Sequence, residues 1–146
     1  MSNWDLVDRL EGIKGFRGVF SRDELIGEPG QSESGVMNLA ALDEPGTHWV
    51  AWVCRPGFTV YFDSFGVPPP DTMKKYLSRH PGTHWRTDSE MQSLTSVMCG
   101  YYCEDFIKSC WDAPHVLTVI KWLNEYKPFP GSNEEILISN LKKMDG

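Results

Sequence analysis

The sequence predicts an α+β protein that forms a single domain over residues 1–146. The chain has 146 residues, the usual size of one domain and enough to bury a hydrophobic core. Two strand-like runs joined by a turn signal lie near its middle, and amphipathic helical patterns lie toward both ends. Its six Trp and 10 Pro residues favour a compact, loop-rich protein over a helical bundle.

The first third of the chain is predicted to contain one helix and one strand. Residues 3–11 form an amphipathic pattern that Ser2 or Asn3 can cap, which predicts a short helix. Residues 15–25 are interrupted by glycine and are expected to be irregular. A first strand is expected over residues 36–42.

A hairpin is predicted in the middle of the chain. Residues 47–54 are apolar on both faces, as in a strand buried inside a sheet. Residues 58–62 are rich in aromatic and β-branched side chains and predict a second strand. Arg55, Pro56 and Gly57 lie between the two runs and form a turn signal.

The chain after the hairpin is predicted to be mainly helical. Asp71 can cap a helix that runs to about residue 79, and Gly100 opens a helix that runs to about residue 111. Between them, residues 80–90 are polar and are expected to form a loop that can hold a short strand near Trp85.

Two more helices are predicted near the C-terminus. Asp112 can cap the first of them, with Pro114 in its first turn. Ser132 and Glu135 have the spacing of a capping box and start the last helix, which runs to about Lys143. Both helices carry an apolar stripe, so both are expected to pack on the core.

Composition and charge exclude several classes of function. The formal net charge is −6, so the chain is a poor candidate for tight nucleic-acid binding. No apolar run is long enough to span a bilayer, and the polar N-terminus does not resemble a secretory signal. The four cysteines include no C-x-x-C pair, so a zinc site is not favoured. No metal or other cofactor is expected. We expect free thiols in a reducing, intracellular compartment.

Four residues in separate segments could supply the chemistry of a cysteine nucleophile. In chain order they are His48, Asp63, Gln92 and Cys99. Such a set can provide a general base, an acid that orients the base, an oxyanion donor and a thiol nucleophile. The set therefore indicates cysteine-based acyl transfer.

The predicted hairpin brings two of these residues together. If its turn has two residues, Arg55 pairs with Phe58, and His48 falls opposite Phe65. Asp63 then lies diagonal to His48 on the same face, where it can accept a hydrogen bond from one imidazole nitrogen. That hydrogen bond would leave the other nitrogen facing a thiol. A turn that differs by one residue would put the two side chains on opposite faces.

The predicted helix start at Gly100 places Cys99 at a helix N-terminus. The N–H groups and the macrodipole of the helix favour a thiolate there, and a neighbouring imidazolium favours it further. Gly100 allows the backbone of a substrate to approach closely. The Cys99 N–H and the Gln92 side-chain amide can both donate to a developing oxyanion.

Each of these residues alone also has a structural interpretation. A buried cysteine, a histidine at a strand end and an aspartate in a turn are each more often structural than catalytic. Their combination and order favour catalysis. The sequence Gly-Thr-His-Trp occurs a second time with His84, which precedes a polar loop, so we assign the base to His48. Cys54, Cys103 and Cys110 are interpreted as structural.

The set resembles the clan of cysteine proteases that includes the adenovirus-type proteases (adenain) and the SUMO/NEDD8-specific proteases. The order His, acid, Gln, Cys is that of the clan, as is an aromatic residue directly after the His. The matching stretches are residues 46–52, 61–66 and 92–103. The seven-residue step from Gln92 to Cys99, together with Cys103, is most similar to the adenain-like branch.

The resemblance implies a mixed sheet packed against helices, with a papain-like catalytic arrangement in a different topology. It also implies an endopeptidase that processes viral or mobile-element precursor proteins near small residues such as glycine. Carried over by residue, the roles would be nucleophile for Cys99, base for His48, orienter for Asp63, oxyanion donor for Gln92, and cleft lining for Trp49 and Gly100.

The chain departs from the adenain-like pattern in several respects. Adenoviral enzymes are longer, usually carry Glu where this chain has Asp63, and use DNA and a disulfide-linked peptide as activators. This chain is acidic and has no cysteine near Pro81 for such a link. We therefore expect a monomeric protease that acts without DNA, either alone or with a non-covalent peptide activator. Two other functions stay open: a deconjugase of a ubiquitin-like modifier, and a non-catalytic binding domain that retains the fold.

Overall fold

The computed structural model describes residues 1–25, 27–39, 48–91, 98–126 and 133–145. Strands dominate the first half of the chain and helices the second half. In chain order the elements are α1 (Asn3–Leu10), β1 (Phe16–Ser21), β2 (Glu33–Asn38), β3 (Trp49–Arg55), β4 (Phe58–Phe62), α2 (Asp71–Leu77), β5 (Thr83–Arg86), α3 (Cys99–Cys110), α4 (Val116–Leu123) and α5 (Asn133–Asp145).

The strands form one mixed sheet in the order β1-β2-β3-β4-β5. The two outer pairs, β1 with β2 and β4 with β5, are parallel, whereas β3 is antiparallel to both of its neighbours. The edge strand β5 is the short strand expected near Trp85. The predicted α+β class, with a mixed sheet packed against helices, is confirmed.

The central hairpin has the register that the sequence predicts. Arg55 pairs with Phe58 across the turn. Gly57 in the turn has a φ of 92°, in the region that favours glycine. The start of β3 and the end of β4 therefore lie side by side at the far end of the hairpin from the turn.

Helices cover both faces of the sheet. On one face α3 packs across β3, and Phe106 of α3 stacks on Phe62 of β4 with ring centroids 4.9 Å apart. On the other face Tyr76 of α2 meets Trp52 of β3 edge-on at 5.9 Å. Because both faces of β3 are covered, its side chains are apolar in succession instead of alternating.

Helix α1 packs against α3 and β1. Leu6 and Leu10 are fully buried, and Ser2 caps the helix through a capping box with Asp5. The predicted cap is therefore confirmed at Ser2. No helix in the described part of the chain is both long and apolar enough to cross a membrane.

One segment predicted to be irregular and one predicted strand start are wrong. Residues 15–25 were expected to be irregular, but Phe16–Ser21 forms β1, which pairs with β2 even though Gly18 has a φ of 132°. Long-range pairing therefore overrides the local glycine signal. Strand β2 begins before residue 36 and ends at Asn38. Residues 40–42 of the predicted strand lie outside the described residues.

Two predicted helix caps are also wrong. Asp71 is the first residue of α2, and the capping position belongs to Pro70. His115, not Asp112, caps α4, because its ring nitrogen accepts a backbone N–H of the first turn. The expected cap of the last helix, Ser132, lies outside the described residues.

Candidate active site

His48 lies directly before β3. Its backbone carbonyl accepts the Leu39 N–H at 2.9 Å, which continues the pairing of β3 with the end of β2. Its ring stacks on Phe65 with centroids 4.6 Å apart, and the side chain is 22% exposed. Strand pairing and stacking therefore fix both the position and the orientation of the imidazole.

Asp63 directly follows β4 and holds the imidazole on one side. Its Oδ1 lies 2.9 Å from His48 Nε2 and also accepts the Phe65 N–H at 2.8 Å. The side chain is 1% exposed, so these fixed donors replace water around the carboxylate. A carboxylate in this position selects the tautomer with a proton on Nε2 and leaves Nδ1 for the thiol.

Thr87, which directly follows β5, clamps the backbone of Asp63. Its Oγ1 accepts the Asp63 N–H at 2.8 Å and donates to the Asp63 carbonyl oxygen at 2.9 Å. Thr87 is buried, and its own N–H donates to the Tyr61 carbonyl oxygen at 3.0 Å. The sequence analysis missed this positioning residue. The expected short strand near Trp85 was the one signal that could have placed it beside β4.

Gly66 closes the turn that follows Asp63. Its N–H donates to the Asp63 carbonyl oxygen at 2.9 Å, and its φ of 74° is in the region that favours glycine. A Cβ at this position would lie 2.9 Å from the carbonyl carbon of Asp88 and 2.9 Å from the nitrogen of Ser89. The glycine therefore lets the Asp63 turn pack tightly against the segment that follows β5.

Cys99 is the first residue of α3 and is 2% exposed. Its thiol therefore lies at the helix end where the macrodipole favours negative charge. One turn further on, Cys103 Sγ donates to the Trp49 carbonyl oxygen at 3.3 Å. Burial raises the pKa of Cys103, which keeps its thiol protonated as a donor. Because Trp49 directly follows His48, this contact holds the thiol-bearing helix against the imidazole-bearing strand.

The imidazole of His48 has Cys99 as its second partner. Its Nδ1 is buried and makes no hydrogen bond within the described ranges, and the Cys99 side chain lies close enough to the ring to raise the pKa of His48. Burial acts to lower the pKa of His48. The hydrogen bond to Asp63, followed by the interaction with Cys99, outweighs burial and raises that pKa to about 9. His48 is therefore an imidazolium at neutral pH.

The two residues expected to line the cleft, Trp49 and Gly100, lie against each other. A Cβ at position 100 would lie 3.3 Å from Cε3 of the Trp49 ring, so a side chain there would crowd the indole. The Trp49 Nε1–H donates to Asn3 Oδ1 at 2.7 Å. The start of α1 therefore orients the indole beside the thiol.

Gln92, the expected oxyanion donor, lies outside the described residues. The residue before it, Met91, donates its N–H to the Ser64 carbonyl oxygen at 2.8 Å, which holds Met91 beside the turn after β4. His84, in the second Gly-Thr-His-Trp copy, lies on β5 with its Nε2 2.8 Å from the His80 carbonyl oxygen. Among the described residues, no group of three or more His, Cys, Asp or Glu side chains could hold a metal ion.

A carboxylate, an imidazole and a thiol thus interact in sequence at one end of the sheet, in the order Asp63, His48, Cys99. The carboxylate holds the imidazole through Nε2 and leaves Nδ1 available to the thiol, so the ring can exchange a proton with the sulfur while the carboxylate keeps it in place. Such an arrangement can form a thiolate–imidazolium pair and then return the proton to a leaving group.

Comparison with solved structures finds chains with a similar fold. A crystal structure of the ASFV pS273R protease, a SUMO-protease-like cysteine protease, aligns with a TM-score of 0.59 at 17% identity. The alignment covers 90% of this chain and 63% of that chain. The chain therefore has the fold of a cysteine protease and spans less than two thirds of that structure. The resemblance drawn from the sequence is confirmed at the level of fold.

The other comparisons do not support a further conclusion about this chain. A selenomethionine crystal structure of the same protease aligns with a TM-score of 0.49 at 23% identity, over 64% of this chain and 39% of that chain. No protein-family model and no curated protein matches the chain. The roles of individual residues must therefore be argued from the geometry of the site.

Proposed function

We propose that this chain is a cysteine endopeptidase of the adenain-like type. The observation that carries the proposal is the placement of His48 between a buried carboxylate, Asp63, and a thiol at the start of a helix, Cys99. The fold of a known cysteine protease supports it. A histidine with only a structural role would be held by a single polar partner. The His48 ring instead lies between the carboxylate of Asp63 and the thiol of Cys99.

Acylation begins with the thiolate–imidazolium pair. The Cys99 sulfur attacks the carbonyl carbon of the scissile peptide bond, and the carbonyl oxygen takes up the negative charge. His48 then gives its proton to the leaving amine nitrogen, the C–N bond breaks, and a thioester remains on Cys99. Asp63 keeps the ring oriented and stabilises its positive charge until the proton has moved.

Deacylation uses the same groups in reverse. The neutral His48 takes a proton from a water molecule, whose oxygen attacks the thioester carbonyl carbon. The carbon–sulfur bond breaks, the carboxylic acid product leaves, and the imidazolium–thiolate pair is restored. Donors for the oxyanion would be the Cys99 N–H at the start of the helix and the amide of Gln92.

We propose substrates with small residues, glycine among them, next to the scissile bond. The close approach of Trp49 to Gly100 supports this preference, because it narrows the surface beside Cys99. The proposed substrates are viral or mobile-element precursor proteins, cleaved inside a cell. The proposed enzyme is a monomer that needs no DNA, since the chain has a net charge of −6. It acts alone or with a non-covalent peptide activator.

Cleavage of a peptide library rich in small residues tests the proposal. Wild-type protein should cut a subset of the peptides, and Cys99→Ala should lower the rate by a factor on the order of 10³ or more. Cys54→Ala is the matched control, because Cys54 is buried among the α2-side residues. An active Cys99→Ala protein would end the proposal.

A ubiquitin-like protein with a C-terminal electrophile separates peptidase from deconjugase. The proposed endopeptidase should cleave the library and react slowly with this probe. Fast reaction of Cys99 with the probe and no cleavage of any peptide would assign the chain to deconjugation instead. No reaction with either substrate would leave a binding domain.

A further inference from the structure

The backbone of Met91 is held on both sides by the rest of the chain. Its carbonyl oxygen accepts the Asn133 Nδ2–H at 3.0 Å, and the Tyr102 hydroxyl lies 3.5 Å from the same oxygen. The Met91 N–H donates to the Ser64 carbonyl oxygen at 2.8 Å, one residue after Asp63. Met91 itself is buried in the hydrophobic core. Its two backbone polar groups and its side chain are therefore fixed together.

Asn133 is the first residue of α5 and is fully buried. Burying a side-chain amide costs free energy unless the amide makes hydrogen bonds, so an asparagine inside the core indicates a specific polar contact. The contact with Met91 joins residues that are 42 positions apart. It connects the start of α5 to the segment that follows β5.

Helix α5 is anchored by contacts that do not involve Asn133. It packs against α3, and its Leu137 is fully buried in the hydrophobic core. The Asn140 Nδ2–H donates to Asp105 Oδ2 of α3 at 3.1 Å. Because α3 is the helix that begins at Cys99, the start of α5 and the candidate nucleophile are fixed to the same helix.

The residue that follows Met91 is Gln92, the proposed oxyanion donor. The Met91 carbonyl and the Gln92 nitrogen belong to one planar peptide group. A hydrogen bond that holds the carbonyl oxygen therefore restricts the direction in which the chain continues to Gln92. An oxyanion donor is effective only when it lies about 2.7–3.1 Å from the developing charge, so the anchoring of the preceding peptide group bears on the rate.

We propose that Asn133 is a positioning residue, whose amide holds the Met91 carbonyl and thereby places the Gln92 side chain for the developing oxyanion. The inference rests on the proposed function, because it concerns the transition state of that same reaction. Asn133 acts through Met91, so its loss should slow acylation and leave the thiolate–imidazolium pair intact. The loss of rate should lie between about tenfold and the 10²–10³-fold that removal of an oxyanion donor itself costs.

The test compares two reactions of the same sulfur. Peptide cleavage places negative charge on a carbonyl oxygen, whereas alkylation of Cys99 by iodoacetamide does not. Asn133→Ala should lower kcat for a library peptide by about tenfold or more, with KM and the alkylation rate at pH 7 unchanged. Asn140→Ala is the matched control, because Asn140 lies on the same helix and its amide donates to Asp105. Its kcat should stay close to that of wild type.

A double-mutant cycle with Gln92→Ala tests the connection between the two residues. Gln92→Ala should lower kcat by itself, and adding Asn133→Ala to it should cause little further loss, because the donor to be positioned is already absent. Losses that multiply would overturn the inference, since the two residues would then act independently. Tyr102→Phe is a second variant that keeps the ring in the core. It should lower kcat by a smaller factor, because its hydroxyl makes the longer contact.

An unchanged kcat in both Asn133→Ala and Tyr102→Phe would overturn the inference. A fall in the alkylation rate by the same factor as kcat in both variants would also overturn it, because the two residues would then support the whole site. If Cys99→Ala abolishes cleavage in either case, the proposed function stands and only the role of Asn133 fails. If wild type cleaves no peptide of the library, both proposals fail.

Discussion

The Asp63→Asn substitution removes a charge from the candidate site and keeps the shape of the side chain. An amide oxygen at this position can still accept the Phe65 N–H that Oδ1 accepts at 2.8 Å. The pKa of His48 stands at about 9 against an ordinary 6.5, and Asp63 contributes both a hydrogen bond and a charge to that increase. The change from 6.5 to about 9 corresponds to about 3 kcal/mol. Since burial opposes the charged ring, the pKa in the variant should fall toward 6.5.

The lower pKa of His48 in Asp63→Asn should affect the rate of peptide cleavage most near neutral pH. At pH 7.5, a group with a pKa of about 9 is about 97% protonated, and a group with a pKa of 6.5 is about 9% protonated. The population of imidazolium in Asp63→Asn should therefore be about tenfold smaller than in wild type at this pH. Peptide cleavage that starts from the thiolate–imidazolium pair should slow by a similar factor.

The assay is an NMR titration of protein labelled with ¹³C-histidine. The chain has four histidines, and the His48 resonance is the one that is lost in His48→Gln. Asp71→Asn is the matched control, because Asp71 is an exposed carboxylate at the start of α2. A His48 midpoint that stays near 9 in Asp63→Asn would refute the argument that this carboxylate holds the proton on the ring.

Three further results are expected. Gly66→Ala should lower the free energy of unfolding, measured with denaturant, by about 2–4 kcal/mol, because a positive φ is combined with a close backbone contact. Gly57→Ala has a positive φ in open space and should lose only about 1 kcal/mol, so equal losses would contradict the steric argument. Thr87→Val leaves the buried Asp63 N–H without its acceptor and should destabilise the fold by about 1–3 kcal/mol while slowing peptide cleavage; a variant as stable and active as wild type would show that the clamp is dispensable. Because the pKa of His48 is raised, its stabilisation is complete below pH 6.5 and is lost as the pH rises through about 9. The free energy of unfolding of wild type should therefore fall by up to about 3 kcal/mol more than that of His48→Gln across this window, and parallel pH profiles would count against the raised pKa.

Local sequence patterns were sufficient to predict the features whose contacts join residues close together in the sequence. The turn at residues 55–57 and the apolar run before it predict the hairpin register, and that register brings His48 and Asp63 to the same end of the sheet. The helix start could be predicted in the same way, because the helical pattern begins at Gly100, one residue after the observed start of α3 at Cys99. These predictions needed only strand periodicity, turn chemistry and helix-start signals.

Contacts between distant segments could not be predicted from the sequence. Strand β1 contains Gly18, which disfavours a strand locally, and it forms because it pairs in parallel with β2. Thr87 and Asp63 are 24 positions apart, and no local pattern marks Thr87 as different from the exposed residues around it. The contact of Met1 with Gly100 joins the first residue of the chain to the start of α3. Each of these features depends on packing in three dimensions that residue periodicity does not encode.

The pairing of Cys99 with His48 is tested most directly by the rate of iodoacetamide alkylation between pH 6 and pH 9, in wild type and in His48→Gln. Cys54, Cys103 and Cys110 are fully buried and burial raises the pKa of each, so the account predicts a single adduct, on Cys99. Its rate at pH 7 should be about tenfold or more higher in wild type than in His48→Gln, because only wild type carries an imidazolium beside the sulfur. Equal rates in the two proteins would contradict the account.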